Sequence, residues 1–515
     1  MRNVFAALKR LHAAVVVVAS TLLLCWQVSP SAAQPARPPG IAVAVLPFAN
    51  ASDDPSQDFL ADGLTDEIAA ALARVQGLDV LARSSVFGFR GQNSRIQTIG
   101  QTLNARYLVE GSARRVETRL RLSVNLIRVD GNARLWSREY STELARIFDV
   151  QGEIVEGIAT ALHVPARVNP GDLVRNRAKN LEAYEDFLRA KILVRARGAK
   201  PLADAAVVLE TVVAREPDYA PAAALLAYDY ALTPLFEQSL RSAEPEQERR
   251  VVERTIPRAD ALARRATTLD PGGADGFVAL GYANLVQRKM LAAEDAFKQA
   301  LALNPNHADG LHGYSQFLAA MGRIKESLAM RERLQSVEPF VANYTADTAE
   351  IYWLDGDTDK AIAMLQPFRP GRTLELALIE AAAGRYREAA ALVREMPATN
   401  YRSGMTETAA QVLESAPARV ASPERLSNLG SLGFVYMHVG APERVLEFYE
   451  AEIQAGYFQP ISTSWFWHPS YTTVRRTERF KRLMRGLGLV DYWRARGWPA
   501  LCQPAGADDF ACDRR

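Results

Sequence analysis

Three carboxylates, Asp53, Asp54 and Asp62, are the residues best suited by type to acid–base or metal chemistry in this chain of 515 residues. They follow an apolar run from Ile41 to Phe48 that Pro47 interrupts, read as a buried strand, and α/β folds often bind ligands beyond a strand end. Asp53-Asp54-Pro55 is equally ordinary turn chemistry, and Asp66-Glu67 suits an early helical turn. The six histidines are His12, His163, His307, His312, His438 and His468. His307 and His312 stand five apart, not at the i, i+4 spacing that puts two metal ligands on one helix face. The sequence has no HExxH, no P-loop, no GxSxG elbow and no GxGxxG. No catalytic set, metal site or cofactor is therefore expected, and the chain reads as non-enzymatic. A nucleotide cyclase would need a further domain with metal-binding aspartates of its own, and no stretch is left over to hold one.

Arg2, Lys9 and Arg10 precede an apolar stretch, Ala13 to Trp26, and then Ser29-Pro30 and Ser31-Ala32-Ala33. This is the layout of a signal peptide over 1–33, with cleavage before Gln34. The apolar core of 14 residues is short beside the ~20 that span a bilayer. Residues 11–28 are the alternative, an uncleaved anchor facing the periplasm. A mature chain would keep two cysteines, Cys502 and Cys512, and in an exported protein an even pair suggests a disulfide. Their ten-residue separation would close a loop worth about 2–3 kcal/mol. Formal net charge is +2, with 48% hydrophobic and 23% charged residues. That is globular composition with no global field calling for a nucleic-acid partner.

The elements that must position any site announce themselves by a beat of prolines. Pro271, Pro305 and Pro339 lie 34 residues apart, and Pro217 precedes Pro271 by 54, one period plus an insertion of 20. A 34-residue period in a helical sequence marks a tetratricopeptide array of stacked helix pairs. With Pro305 closing a repeat, Phe277, Leu280, Gly281 and Asn284 fall on its first helix, and Ala293, Phe297 and Ala300 on its second. Gly281 and Ala293 let the two helices approach; the aromatics fill the space beside the crossing. The insertion falls near 233–257. Turn glycines Gly322, Gly356, Gly384 and Gly440 support six to seven pairs over 181–456.

Ahead of the array, residues 34–40 are a proline-rich linker. Strand and helix patterns alternate over 41–164, with hairpin signals at Glu117-Thr118 and Asp130-Gly131-Asn132. The expected fold class is an α/β amino-terminal domain, a mixed sheet with flanking helices, followed by an all-α solenoid. Residues 165–180 read as a linker and 457–515 as a carboxy-terminal cap segment. Ala44-Val45-Leu46-Pro47-Phe48-Ala49-Asn50, Phe59 to Ile68, Arg106 to Ser112 and Leu135 to Tyr140 resemble the TolB/FlgO-type amino-terminal domain. In that family the domain commonly precedes tetratricopeptide repeats, and often follows a class III cyclase or winged-helix output module. No stretch of this sequence reads as such a module. Leu489 to Pro499, then Cys502, resembles the tail of the same proteins.

Extrapolating the repeat places a protein-binding groove on the first helices. Asp275, Val278, Tyr282 and Leu285 line it in one repeat; Asp309, His312 and Gln316 in the next; Asn343, Glu350 and Trp353 in the third. The set lacks the Lys/Asn/Arg group with which some tetratricopeptide proteins clamp a terminal carboxylate. Residues 475–496 carry eight basic and two acidic side chains. They read as a capping helix buried through Phe480, Leu483 and Leu487, or as an attractor of anionic lipid. The function expected is an exported, periplasmic adaptor that binds protein or peptide partners through the groove, without nucleic acid. The alternative is a membrane-anchored sensory module coupled to a separately encoded output protein.

Overall fold

A computed structural model describes residues 40–81, 86, 95–164, 177–236, 245–338, 341–397, 401–456, 460–506 and 509–513. The expected signal peptide or anchor, most of the two linkers, and Pro339 lie outside the described residues.

The first described unit is a mixed sheet. Strands β1 (Ile41–Val45), β2 (Ala49–Asn50), β3 (Leu78–Val80), β4 (Tyr107–Val116), β5 (Arg119–Arg128) and β6 (Ala133–Glu143) take the order β3-β1-β4-β5-β6, with β2 also on β4. β1 runs parallel to β3 and β4, whereas β4, β5 and β6 form an antiparallel meander. Pro47 cannot donate to a ladder, so the first run breaks there. The chain rejoins β4 one residue out of step, Val45 facing Val109 but Ala49 facing Ser112. Helices α1 (Asp58–Ala73) and α3 (Ile147–Ala161) bury Leu60, Leu64, Ile68, Ile154 and Ile158 in the core they share with one face. Gly157 permits the approach of β6, since a Cβ there would stand 2.7 Å from the Trp136 ring. The short α2 (Ile96–Thr102) belongs to a smaller core with Ala44 and Leu108.

Helix pairs follow. They are α4 (Leu181–Ala196) with α5 (Ala199–Arg215), α6 (Ala220–Phe236) with α7 (Pro245–Leu269), and α8 (Ala274–Val286) with α9 (Met290–Leu303). Then come α10 (Ala308–Ala320) with α11 (Ile324–Val337), α12 (Ala342–Leu354) with α13 (Thr358–Leu365), and α14 (Thr373–Ala382) with α15 (Tyr386–Glu395). First helices begin at 274, 308 and 342, and their partners at 290, 324 and 358, so the 34-residue beat is a structural repeat. Gly281 does what its position demands: a Cβ there would meet Phe297 at 2.7 Å. The insertion of 20 lengthens helices. α6 has 17 residues against 13 in α8, and α7 has 25 against 14 in α9.

After α16 (Met405–Ser415) the chain passes through 3-10 turns to α17 (Leu446–Gln454), then α18 (Pro460–Ser464), α19 (Thr472–Arg475), α20 (Glu478–Gly486) and α21 (Leu489–Arg496). A hairpin of β7 (Cys502–Pro504) and β8 (Phe510–Cys512) closes it, with Cys502 and Cys512 disulfide-bonded. The return segment lies against the middle repeats. Trp467 and Trp493 donate their indole N–H to the carbonyls of Ala320 and Met321, at 3.0 and 3.1 Å. Phe480, Leu483 and Leu487 are buried.

Sheet and solenoid share one core through α4. Leu188 packs where a Gly63 Cβ would stand, and Tyr184 accepts from Gln151 at 3.1 Å with Phe148 edge-on at 4.7 Å. Ion pairs Lys191–Glu67 (2.7 Å), Arg115–Glu185 (2.5 Å) and Arg195–Asp66 bind the seam.

Candidate partner-binding face

Asp309, in the first turn of α10, is the hub of the face that the repeat register singles out. Its Oδ1 accepts from Arg197 Nη2 at 2.8 Å, Tyr228 OH at 2.7 Å and Tyr344 OH at 3.0 Å. Three elements thus converge on one oxygen: the turn after α4, α6 and α12. Burial would raise the Asp309 pKa, but Arg197, His307 and the tyrosine hydrogen bond hold it down to about 2. The charge is built in. His307 N-caps α10, its Nδ1 accepting from Gly310 N at 3.2 Å, and its Nε2 lies 3.0 Å from Asp275 Oδ1.

Beside the hub, Arg331 Nη1 donates to His312 Nδ1 at 2.9 Å. Burial, reinforced by Arg331, pushes the His312 pKa down to about 3, so the imidazole is neutral and Nδ1 is free to accept. His312 Nε2 faces Asp347 at 3.8 Å, and Asp347 lies 3.3 Å from Arg372 Nη1. Arg372 also pairs with Glu375 and donates to Asn343 Oδ1 at 3.2 Å. Glu350 accepts from Trp465 Nε1 at 3.1 Å. Burial and the neighbouring Glu375 and Asp347 push the Glu350 pKa well up, which favours its neutral form at pH 7.

The expected groove residues divide into two groups. Asp275 is 67% exposed at its side chain, Asn343 is exposed, Gln316 is half-buried, and Asp309 and His312 are 31% and 14% exposed. Val278, Tyr282, Leu285, Glu350 and Trp353 are at most 3% exposed. Tyr282 sits edge-on between Tyr228 and Phe297, at 5.2 and 5.4 Å, in the space left by Gly313. Trp353 stacks on His468 of the return segment at 4.1 Å. In this structure these five are packing residues, not an open lining. The repeat register assumes bare helix pairs, whereas here the carboxy-terminal return covers Trp353 and Glu350.

Three arginines belong to the face and were not anticipated there: Arg197, Arg331 and Arg372. Arg331 had a signal. One period before and after it stand Phe297 and Leu365, so an arginine occupies a core position of the repeat, and it is 0% exposed. Arg197 and Arg372 lie in turns outside the repeat pattern and carried none.

The other candidates do not converge. Asp54 caps the turn Pro55–Gln57, accepting from Ser56 N at 2.9 Å and Ser56 Oγ at 2.7 Å. Asp53 is exposed and Asp62 is buried in α1. Among the described residues no group of His, Cys, Asp and Glu could hold a metal ion, and no helix is long and apolar enough to cross a membrane. Much of the basic run in 475–496 is ion-paired: Arg475 with Asp513, Arg479 with Glu450, Lys481 and Arg485 with Asp509, Arg496 with Asp295.

Residues 40–156 match the family model described as the second domain of HilA/YgeH-like transcriptional regulators. That stretch is the sheet unit, and the description differs from the TolB/FlgO name its residues suggested. A protein of Rhizobium meliloti (strain 1021), provisionally named adenylate cyclase 3, is 33% identical over 263 residues, 51% of this chain and 43% of that protein. The chain thus spans less than half the length of this curated relative. Among solved structures, a thermophilic TPR protein of Thermus thermophilus, TTC0263, is 15% identical over 35% of this chain and 89% of its own, with a TM-score of 0.28. A human IFIT1 dimer with PPP-AAAA is 15% identical over 78% of this chain and 94% of its own, with a TM-score of 0.33. At such scores the solenoid assignment rests on this chain's own helix boundaries.

Proposed function

We propose that the chain is a non-enzymatic adaptor of the cell envelope, exported through residues 1–33, that binds a protein or peptide across the first-helix face around Asp309. The observation that carries this reading is the layered arrangement of that face. Exposed Asp275 and Asn343 and half-exposed Asp309 stand one 34-residue period apart, each fixed by a partner beneath it. Side chains held in place lose little freedom when a partner arrives, and a periodic row suits an extended or helical segment. The Cys502–Cys512 disulfide supports an oxidising compartment. The amino-terminal unit, TolB/FlgO-like in its residues, would seat a second partner.

The relatives' names favour a second reading. The matching family model is described as a domain of transcriptional regulators and the curated relative is named a cyclase, so the sheet-plus-solenoid arrangement would be the sensory half of a signalling system. The protein would then stay anchored by residues 11–28 and work with a separately encoded output protein.

Affinity capture from envelope extracts tests the face, using wild type and the surface variant Asp275→Lys/Asn343→Glu. Substituting Tyr282 or Trp353 would report on folding, since both are core. The variant is expected to keep the wild-type circular dichroism spectrum and to lose a partner that wild type enriches. Equal recovery of every enriched protein by both forms removes the groove. Intact mass of the exported protein separates the two readings, a mature start at Gln34 favouring the adaptor and a start at Met1 the anchored sensor.

A further inference from the structure

Two arginines on one turn tie the sheet unit to the partner-binding face. Arg195, in the last turn of α4, pairs with Asp66 of α1, whose side chain is 2% exposed. Arg197 donates to Asp309 Oδ1 at 2.8 Å and to Tyr228 OH at 2.9 Å, its guanidinium 5.1 Å from the Tyr228 ring centroid. The backbone here is far from ordinary. Arg197 has φ 56° and ψ 163°, and Gly198 follows with φ 104° and ψ 158°. The Arg197 combination is almost confined to glycine, because a Cβ crowds the neighbouring peptide units. A non-glycine residue stays in such a well only where surrounding contacts hold it. Holding this one are its own side chain's bonds to Asp309 and Tyr228, together with its backbone N–H donating to Val194 O at 3.4 Å.

We infer that residues 195–198 form a relay coupling occupancy of the face to the seating of the sheet unit. With Arg197 clamped by Asp309, the strained turn fixes the end of α4 and so the bearing of Arg195 on Asp66. A basic side chain of the partner suits the opening step, since Asp309 is the more exposed member of the pair, 31% against 18% for Arg197. Taking the carboxylate, it releases Arg197. The turn then relaxes to an unstrained φ, and the Arg195–Asp66 and Lys191–Glu67 pairs loosen together. Strain stored in one turn supplies the two-state element that coupling between sites requires.

This inference rests on the reading of the face as a binding surface, but the coupling is measurable without a partner. Hydrogen exchange by mass spectrometry on the full chain compares wild type, Asp309→Ala, Arg197→Gly, the double variant and Asp347→Ala. Asp309→Ala is expected to speed amide exchange in α1 (58–73) and α4 about threefold or more. In the Arg197→Gly background the same substitution should add nothing. Asp347→Ala, on the same face but paired with Arg372, should leave α1 unchanged. Acceleration confined to α10 and α12 overturns the relay. So does equal acceleration by Asp347→Ala, or a full Asp309→Ala response without Arg197. A relay found in a protein whose face captures no partner would sink the adaptor reading alone.

Discussion

Asp229 is a buried carboxylate with no hydrogen-bond donor among the described residues to take its charge. It is 0% exposed in α6, and neither oxygen has a hydrogen-bond partner among the described residues. Burial raises its pKa to about 8, Arg197 offsetting only part of the effect. Its folded pKa thus lies above the ~3.9 of an unfolded chain. Between those values the folded state holds a proton that the unfolded state has shed, so stability falls as pH rises from about 4 to 8. Asp229→Asn is isosteric and never ionises. It is expected to match wild type at pH 4 and to unfold at higher urea at pH 8, by up to roughly 5 kcal/mol. An equal midpoint difference at both pH values would show that the carboxylate is not held neutral. Asp229 was not legible in the sequence, because nothing there says which side of an alanine-rich helix, Ala220 to Phe236, lacks a donor. Arg331 was legible, since the 34-residue beat that names Phe297 as core names Arg331 as well. Reading it requires applying the period to exceptions as well as to matches.

Between α8 and α9, α10 and α11, and α12 and α13 the chain turns through a residue of positive φ, and these repeats fill that position differently. Arg288 has φ 60°, while Gly322 and Gly356, one and two periods on, have φ 80° and 97°. Two substitutions at equivalent places should therefore act in opposite directions. Arg288→Gly relieves the Cβ penalty and is expected to raise stability by about 0.5–1 kcal/mol, net of the freedom glycine adds to the unfolded chain. Gly322→Ala loses that permissive backbone, and its Cβ would also stand 2.6 Å from Pro499 and 3.0 Å from Trp467. A cost of roughly 2–4 kcal/mol is expected from strain plus overpacking. Urea midpoints of both variants check the pair; a change of the same sign in each would break the argument. Element types were open to reading because their signals are local: Pro47 ends a strand, Asp130-Gly131-Asn132 turns a hairpin, Gly281 opens a helix crossing. The fate of the insertion was hidden. Twenty extra residues look the same in sequence whether they form a loop or, as here, mostly extend α6 and α7.

A bare solenoid couples each repeat only to its neighbours, so its ends can unfold alone. This chain adds a non-neighbour tie, and its physical basis is a row of indoles. Trp467 and Trp493 are at most 2% exposed, meet edge-on at 5.7 Å and bond the carbonyls that end α10, while Arg323 donates to Tyr492 OH at 2.8 Å. The return segment thus fastens residues 460–499 onto helices more than a hundred positions earlier. Sequence periodicity carries no information about such a contact, which is why Trp353 and Glu350 read as surface. Sheet unit, repeats and return share one continuous core, so a state that has lost the return must expose Trp353 and Phe317 to water. That cost, several kcal/mol for side chains of this size, should suppress partly unfolded states and join the repeats into one transition. Urea unfolding followed by far-UV circular dichroism and by tryptophan fluorescence is expected to give one shared midpoint in the wild type. In Trp467→Ala/Trp493→Ala the fluorescence midpoint should fall first and the helical signal later, as the untied repeats regain nearest-neighbour behaviour. Separate midpoints in the wild type, or a shared one in the double variant, would mean that the return segment only decorates the array.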